Sequence, residues 1–338
     1  MKKVVMTKMV STLIGTLAMG TIATSASLAL ADDKPSTVSI GYFLEWPTAN
    51  QVAQVNDTYS KEMGVKVEWH AFDSGTAMSA AMASGGVDIA YSQGLVPFTI
   101  AVSKGLPITM VGIAVSYAEN DNCVVRKQAH ITTANAKQLE GKNIAVPFGT
   151  VSHYKMLKTL KQLDVDSNKV HLLDMAPADG AAALARGDVS MACGWGGALR
   201  RMKQYGQVLM TAQQQESFGI RSFDVISANN KFAKQHPALV TEFLKVTNDA
   251  NTAYKNDPKA QQPIIAKASG LSLQDSNQIL DLFTFPLKEQ QISPYWMGGG
   301  VQTFTKEVAD FFVQQKQIPN ALDDYSATID ASYFKNVN

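Results

Sequence analysis

The sequence predicts an α/β protein of two lobes, each a mostly parallel sheet flanked by helices. Three observations predict it: strand-like and helix-like runs alternate, one strand-and-turn stretch recurs at a fixed offset, and the chain is longer than one core can serve. Hydrophobic residues make up 46% of the 338, enough for sizeable interiors, and single cores stop growing at roughly 250–300 residues.

The first segment stands outside that fold. Lys2, Lys3 and Lys8 precede an apolar run from Met9 to Ile22, small residues follow from Ala23, and Ala29-Leu30-Ala31 stands before Asp32-Asp33-Lys34. This is the layout of a secretory signal cleaved after Ala31. Gly15 and Gly20 interrupt the run, which falls short of the about 20 apolar residues of a membrane span. No cysteine lies near the cleavage point to carry a lipid, so a free periplasmic protein is expected. Removing the leader leaves 307 residues with 27 basic against 29 acidic side chains, a net charge of −2. Nothing basic enough for nucleic acid remains.

Val38 to Phe43 reads as a buried strand, Gln51 to Met63 as a helix, Val65 to Ala71 as a strand of alternating polarity and Ala77 to Ser84 as a second helix. That βαβ order implies a parallel sheet with helices on both faces. Ala83 to Gly94 then matches Ala185 to Gly196, 102 residues on, and the likeness extends upstream: Val67 to Gly85 and Val170 to Gly187 each read as strand, polar turn and alanine-rich helix. Two equivalent units facing each other make a cleft, and in open parallel sheets ligands bind beyond the carboxyl ends of the strands. Those ends are Leu44-Glu45-Trp46-Pro47 and Tyr91-Ser92-Gln93 in one lobe, and Pro147 to Ser152 and Gly194-Trp195-Gly196 in the other.

Phe148-Gly149-Thr150-Val151-Ser152-His153-Tyr154 runs into good helix formers from Lys155 to Leu163. A glycine and two hydroxyls at a helix start either cap the helix or present backbone N–H groups to an anion under a favourable dipole. Position at a strand's carboxyl end shifts the reading toward a ligand. Glu45 beside Trp46, with Trp195 approaching from the other lobe, makes an acid flanked by rings, which attracts a cation. The alternative is a core tryptophan and a solvated acid. Asp224, in the strand-like run from Ser222 to Ser227, either meets the same cation or pairs with Arg221. Anion-seeking and cation-seeking groups together imply a small zwitterion or an amino-bearing acid. The two cysteines, Cys123 and Cys193, form a disulfide in an oxidising compartment or remain two buried thiols.

Catalysis finds little support. Ser152-His153-Tyr154-Lys155 matches S-x-x-K, but no S-D-N or K-T-G accompanies it. The five histidines, at 70, 130, 153, 171 and 236, are too scattered for a metal motif, and no C-x-x-C or P-loop exists. Neither a metal nor a cofactor is expected.

Several segments together resemble the substrate-binding proteins of taurine and alkanesulfonate ABC importers, within the nitrate, sulfonate and taurine group. They are Phe72-Asp73-Ser74-Gly75, the stretch from Gly141 to Phe148, Ser152-His153-Tyr154, the Trp195 segment, Phe223-Asp224-Val225 and Asp324-Tyr325-Ser326. The resemblance implies a type II-like periplasmic-binding-protein fold, two lobes joined by two crossovers and closing on a taurine-like ligand. It implies that Thr150, Ser152 and neighbouring amides hold the sulfonate, and that Asp224 and Trp195 hold the ammonium. Leu95-Val96-Pro97 stands where the family often has paired serines before the proline, so Gln93 or backbone amides are expected to replace two hydroxyls. A pyrimidine-forming enzyme on a related fold uses a cysteine-rich segment absent here. The resemblance further implies a monomer that serves a membrane permease and its cytoplasmic ATPase. Other small sulfonates and quaternary ammonium solutes remain alternative ligands.

The expected organisation is a leader over residues 1–31, a first lobe over 32–117 and 226–338, and a second over 118–225. Helices from Lys231 onward, including Pro237 to Tyr254, are expected to cover the first lobe.

Overall fold

The computed structural model describes residues 34–337; the expected leader and its cleavage after Ala31 lie outside them. The strands are β1 (Thr37–Phe43), β2 (Lys66–Phe72), β3 (Ile89–Gly94), β4 (Ile108–Tyr117), β5 (Asp121–Arg126), β6 (Asn143–Val146), β7 (His171–Asp174), β8 (Met191–Trp195), β9 (Gly206–Val208), β10 (Phe223–Asn229) and β11 (Phe283–Thr284). They form two sheets, of order β11-β4-β10-β3-β1-β2 and β7-β6-β8-β5-β9. Only β10 and β11 run against the other strands of the first sheet, and only β5 against those of the second.

The helices between them are α1 (Gln51–Val55), α2 (Thr58–Met63), α3 (Gly75–Ala83), α4 (Leu95–Ser103), α5 (Val151–Gln162), α6 (Pro177–Arg186) and α7 (Gly196–Lys203). A C-terminal series follows: α8 (Ala212–Glu216), α9 (Asn230–Gln235), α10 (Pro237–Asn256), α11 (Pro258–Ser269), α12 (Leu273–Leu280), α13 (Lys288–Gln291), α14 (Gly300–Gln314) and α15 (Ser332–Lys335). The repeat now has a structural meaning. β1-β2-α3-β3-α4 and β6-β7-α6-β8-α7 are the same unit, each with its first strand between the other two.

The single helix expected over 51–63 is broken by Asp57, whose φ of 54° is left-handed, a conformation that Asp tolerates better than most residues. The lobe boundary expected between Val225 and Ile226 cuts β10. Asp224 and Val225 pair with both β3 and β4, and Phe223 pairs with Ser116 of β4, so residues 223–225 belong to the first sheet. Cys123 faces Cys193 directly across β5 and β8, and a disulfide joins them.

In the C-terminal series, α10 packs on α2, with Tyr59 Oη 2.8 Å from Thr247 Oγ1. Two helices reach beyond the first lobe. Phe311 of α14 meets the Tyr154 ring of α5 edge-on, centroids 5.3 Å apart, and Asp275 of α12 pairs with Arg200 of α7. Among the described residues no helix is long and apolar enough to cross a membrane.

Candidate ligand-binding site

Two parallel units of this kind direct their strand ends and helix starts at one another, and a small cavity lies there. Three helix starts form one wall. Gly75 opens α3, Gly94 precedes α4, and Thr150 caps α5 by accepting from His153 N at 3.3 Å while donating to Pro147 O at 2.6 Å. They pack closely: a Cβ on Gly75 would come within 2.5 Å of Pro97 Cγ, and one on Gly94 within 3.1 Å of Val151 Cγ2. The positive ends of three helix dipoles therefore converge on one small space.

The opposite character is built from rings and acids. Trp46 is buried, edge-on to Tyr117 and Phe283 at centroid distances of 5.2 and 4.6 Å, and Trp195 lies 5.9 Å from Phe43. Trp46 Nε1 donates to Ser92 Oγ (2.9 Å), and Ser92 Oγ donates to Asp224 Oδ2 (2.7 Å). Tyr117 Oη donates to Asp224 Oδ1 at 2.9 Å. Ser92 adopts a left-handed φ of 63° although it is buried and not glycine. Strain of this kind persists where the surroundings over-determine a residue, as functional sites do.

Asp121, at the start of β5, is the second buried acid. Its Oδ2 accepts from Ser152 Oγ at 2.8 Å, and Lys155 Nζ lies 3.9 Å from its Oδ1. Burial pushes the Asp224 carboxyl up to about 7 against the hydrogen bonds from Ser92 and Tyr117. Burial likewise pushes Asp121 up to about 6, opposed by the Lys155 charge.

Of the residues singled out in the sequence, Trp46, Thr150, Val151, Trp195 and Asp224 line the cavity. Gly149, Ser152 and His153 stand behind it. His153 Nδ1 accepts from Gly149 N at 3.1 Å and its ring stacks on Phe148, so it fixes the turn that presents Thr150; burial holds its pKa down at about 4. Glu45 does not reach the cavity. A left-handed φ of 53° turns it outward, and its carboxylate takes both contacts, 2.9 and 3.1 Å, from Arg201 Nη1. Gln93 is also committed elsewhere. Its amide donates to Gly75 O and Ser79 Oγ and accepts from Ser227 Oγ at 2.6 Å, tying β3 to α3 and β10.

Asp121 and Tyr117 escaped the sequence reading. A signal for Asp121 existed: with Cys123 opposite Cys193, the residue two places earlier faces Trp195.

The NMT1/THI5-like family model matches residues 49–261. The chain belongs to the NMT1/THI5-like family. Within this family's reach, the chain is 31% identical over 289 residues to the taurine-binding periplasmic protein of Escherichia coli K12, a match covering 84% of this chain and 88% of that protein. The alkanesulfonate-binding protein SsuA of Xanthomonas axonopodis pv. citri, solved bound to MOPS, superposes with a TM-score of 0.73 at 21% identity, covering 88% of this chain and 99% of that one. The desulfurization enzyme DSZB shares the fold as well, with a TM-score of 0.63 at 14% identity over 90% of this chain and 99% of that one. The fold thus occurs in both binding proteins and an enzyme.

Proposed function

We propose that this protein is the periplasmic ligand-capturing component of an ABC importer and that its ligand is taurine. The carrying observation is the bipolar cavity: helix starts at Gly75, Gly94 and Thr150 suit a sulfonate, and buried Asp224 beside Trp46 and Trp195 suits an ammonium group. The taurine-binding protein of E. coli supports the same reading. On this reading the amides around Thr150 and Val151 hold the sulfonate, and Asp224 holds the ammonium.

The remaining assignments follow from this reading. The leader is cleaved after Ala31, the monomeric protein delivers its ligand to a membrane permease driven by a cytoplasmic ATPase, and no covalent chemistry occurs. The lobes comprise residues 32–117 with the C-terminal part from β10 onward, and the segment between the two crossovers. Titration calorimetry with taurine, hypotaurine, isethionate, longer alkanesulfonates and glycine betaine tests it. Taurine is expected to bind most tightly; tighter binding of glycine betaine overturns the ligand assignment, and turnover of any of these compounds overturns the non-enzymatic one.

A further inference from the structure

We propose that Asp121 is a second ligand-contacting carboxylate and that, together with Asp224, it selects a primary ammonium group over a quaternary one. The proposal rests on the reading of the cavity as a zwitterion site. Asp121 is only 2% exposed, lines the cavity, and leaves Oδ1 buried without a hydrogen-bond partner. A buried acceptor left unpaired is costly, more so when charged. Lys155 does not fill the gap. Its Nζ is 3.9 Å from Oδ1 and directs hydrogen bonds to the backbone carbonyls of Asp121 and Ala118 instead. The lysine therefore balances the charge of Asp121 while leaving its oxygen open.

The count of charges and donors then fits one kind of cation. Asp121 and Lys155 offset each other, leaving one negative charge at Asp224 for a monocation. Asp224 already accepts one hydrogen bond at each oxygen, and a carboxylate has about four acceptor positions. A primary ammonium has three N–H donors, enough to serve both acids. A trimethylated nitrogen carries the same charge and suits the rings of Phe43, Trp46 and Trp195, but donates nothing to Asp121 Oδ1. The two acids also lie on different sheets, Asp121 on β5 and Asp224 on β10, so one ammonium bound to both draws the lobes together.

Calorimetry with two acid-matched pairs, taurine with isethionate and β-alanine with 3-hydroxypropionate, plus N,N,N-trimethyltaurine, tests this. Each amine is expected to bind at least about tenfold more tightly than its hydroxyl partner, and taurine at least about tenfold more tightly than its trimethylated form. Asp121→Asn is expected to weaken taurine at least about tenfold and isethionate less than about threefold. Equal affinity for taurine and trimethyltaurine overturns the proposal, and so does an Asp121→Asn loss of the same factor for taurine and isethionate, which marks a purely structural role. If β-alanine outbinds taurine while both amine preferences hold, the sulfonate assignment fails and the two-acid clamp stands.

Discussion

Asp224 ends a chain of hydrogen bonds that begins at the Trp46 indole and passes through Ser92, and that chain decides what removing it does. Asp224→Ala removes the uncompensated acid of the cavity, and taurine affinity is expected to fall by about 2 kcal/mol or more, about thirtyfold, in calorimetry. The pH response follows from the groups facing it, which are Ser92, Tyr117, Trp46 and Asp121, the last of these next to Lys155. Asp224 titrates at about 7 in the folded protein against an ordinary 3.8. Because the folded value is raised, its contribution to the unliganded protein's stability is present below about 4 and is lost as pH rises through about 7. Ligand binding needs the ionised form and has the opposite slope. A fixed taurine concentration is therefore expected to raise the thermal midpoint more at pH 8 than at pH 5, and equal shifts would contradict the assignment. Individual acids were only partly legible in the sequence. Asp224 stood out as a charge in an apolar strand, whereas Glu45, equally prominent beside a tryptophan, is turned away by its own backbone and held by Arg201 156 positions later, a pairing no local pattern encodes.

Secondary structure elements were read more easily than their partners. Strand ends and helix starts follow from local periodicity and capping, so Thr150 at the start of α5 could be named from its neighbours alone. The run from Ser222 to Ser227 already read as a strand, but its antiparallel pairing, like that of β5, was not legible, because β5 and β10 take their places only after the chain crosses between sheets. The pairing of β5 with β8 brings Cys123 opposite Cys193, and the bond closes a loop of 70 residues. By the chain-entropy model such a closure adds ~4 kcal/mol. Reductant is expected to lower the thermal midpoint of the unmutated protein and to leave Cys123→Ser/Cys193→Ser unchanged; a midpoint insensitive to reductant in both would contradict a stabilising bond.

At the scale of the molecule, one set of contacts between the lobes joins the end of β1 to the start of α7, beside the cavity. Gly197 N donates to Glu45 O at 3.3 Å, while the Glu45–Arg201 pair is about two-fifths exposed at both ends and adds little. Gly196 has a left-handed φ of 55°, and a Cβ there would come within 2.4 Å of the Glu45 carbonyl oxygen. Gly196→Ala therefore holds α7 away from the end of β1. Small-angle scattering is expected to show a larger radius of gyration with saturating ligand, and calorimetry a weaker affinity, although no ligand contact has changed; an unaltered radius would show that the clash is absorbed locally.

The place of β10 between β3 and β4 also sets an order of assembly for a chain that is released N-terminus first. The strands from Asp121 to Val208 that make up the second sheet are contiguous in sequence and can pair as soon as they are released. The first sheet cannot be completed then: β1, β2 and β3 pair among themselves, but β4 joins them through β10, which arrives about a hundred residues later. Closing so long a loop is slow. Pulse-labelling hydrogen exchange during refolding is expected to protect amides of β6 and β8 before those of β4, and the reverse order would show that β4 is held without waiting for β10.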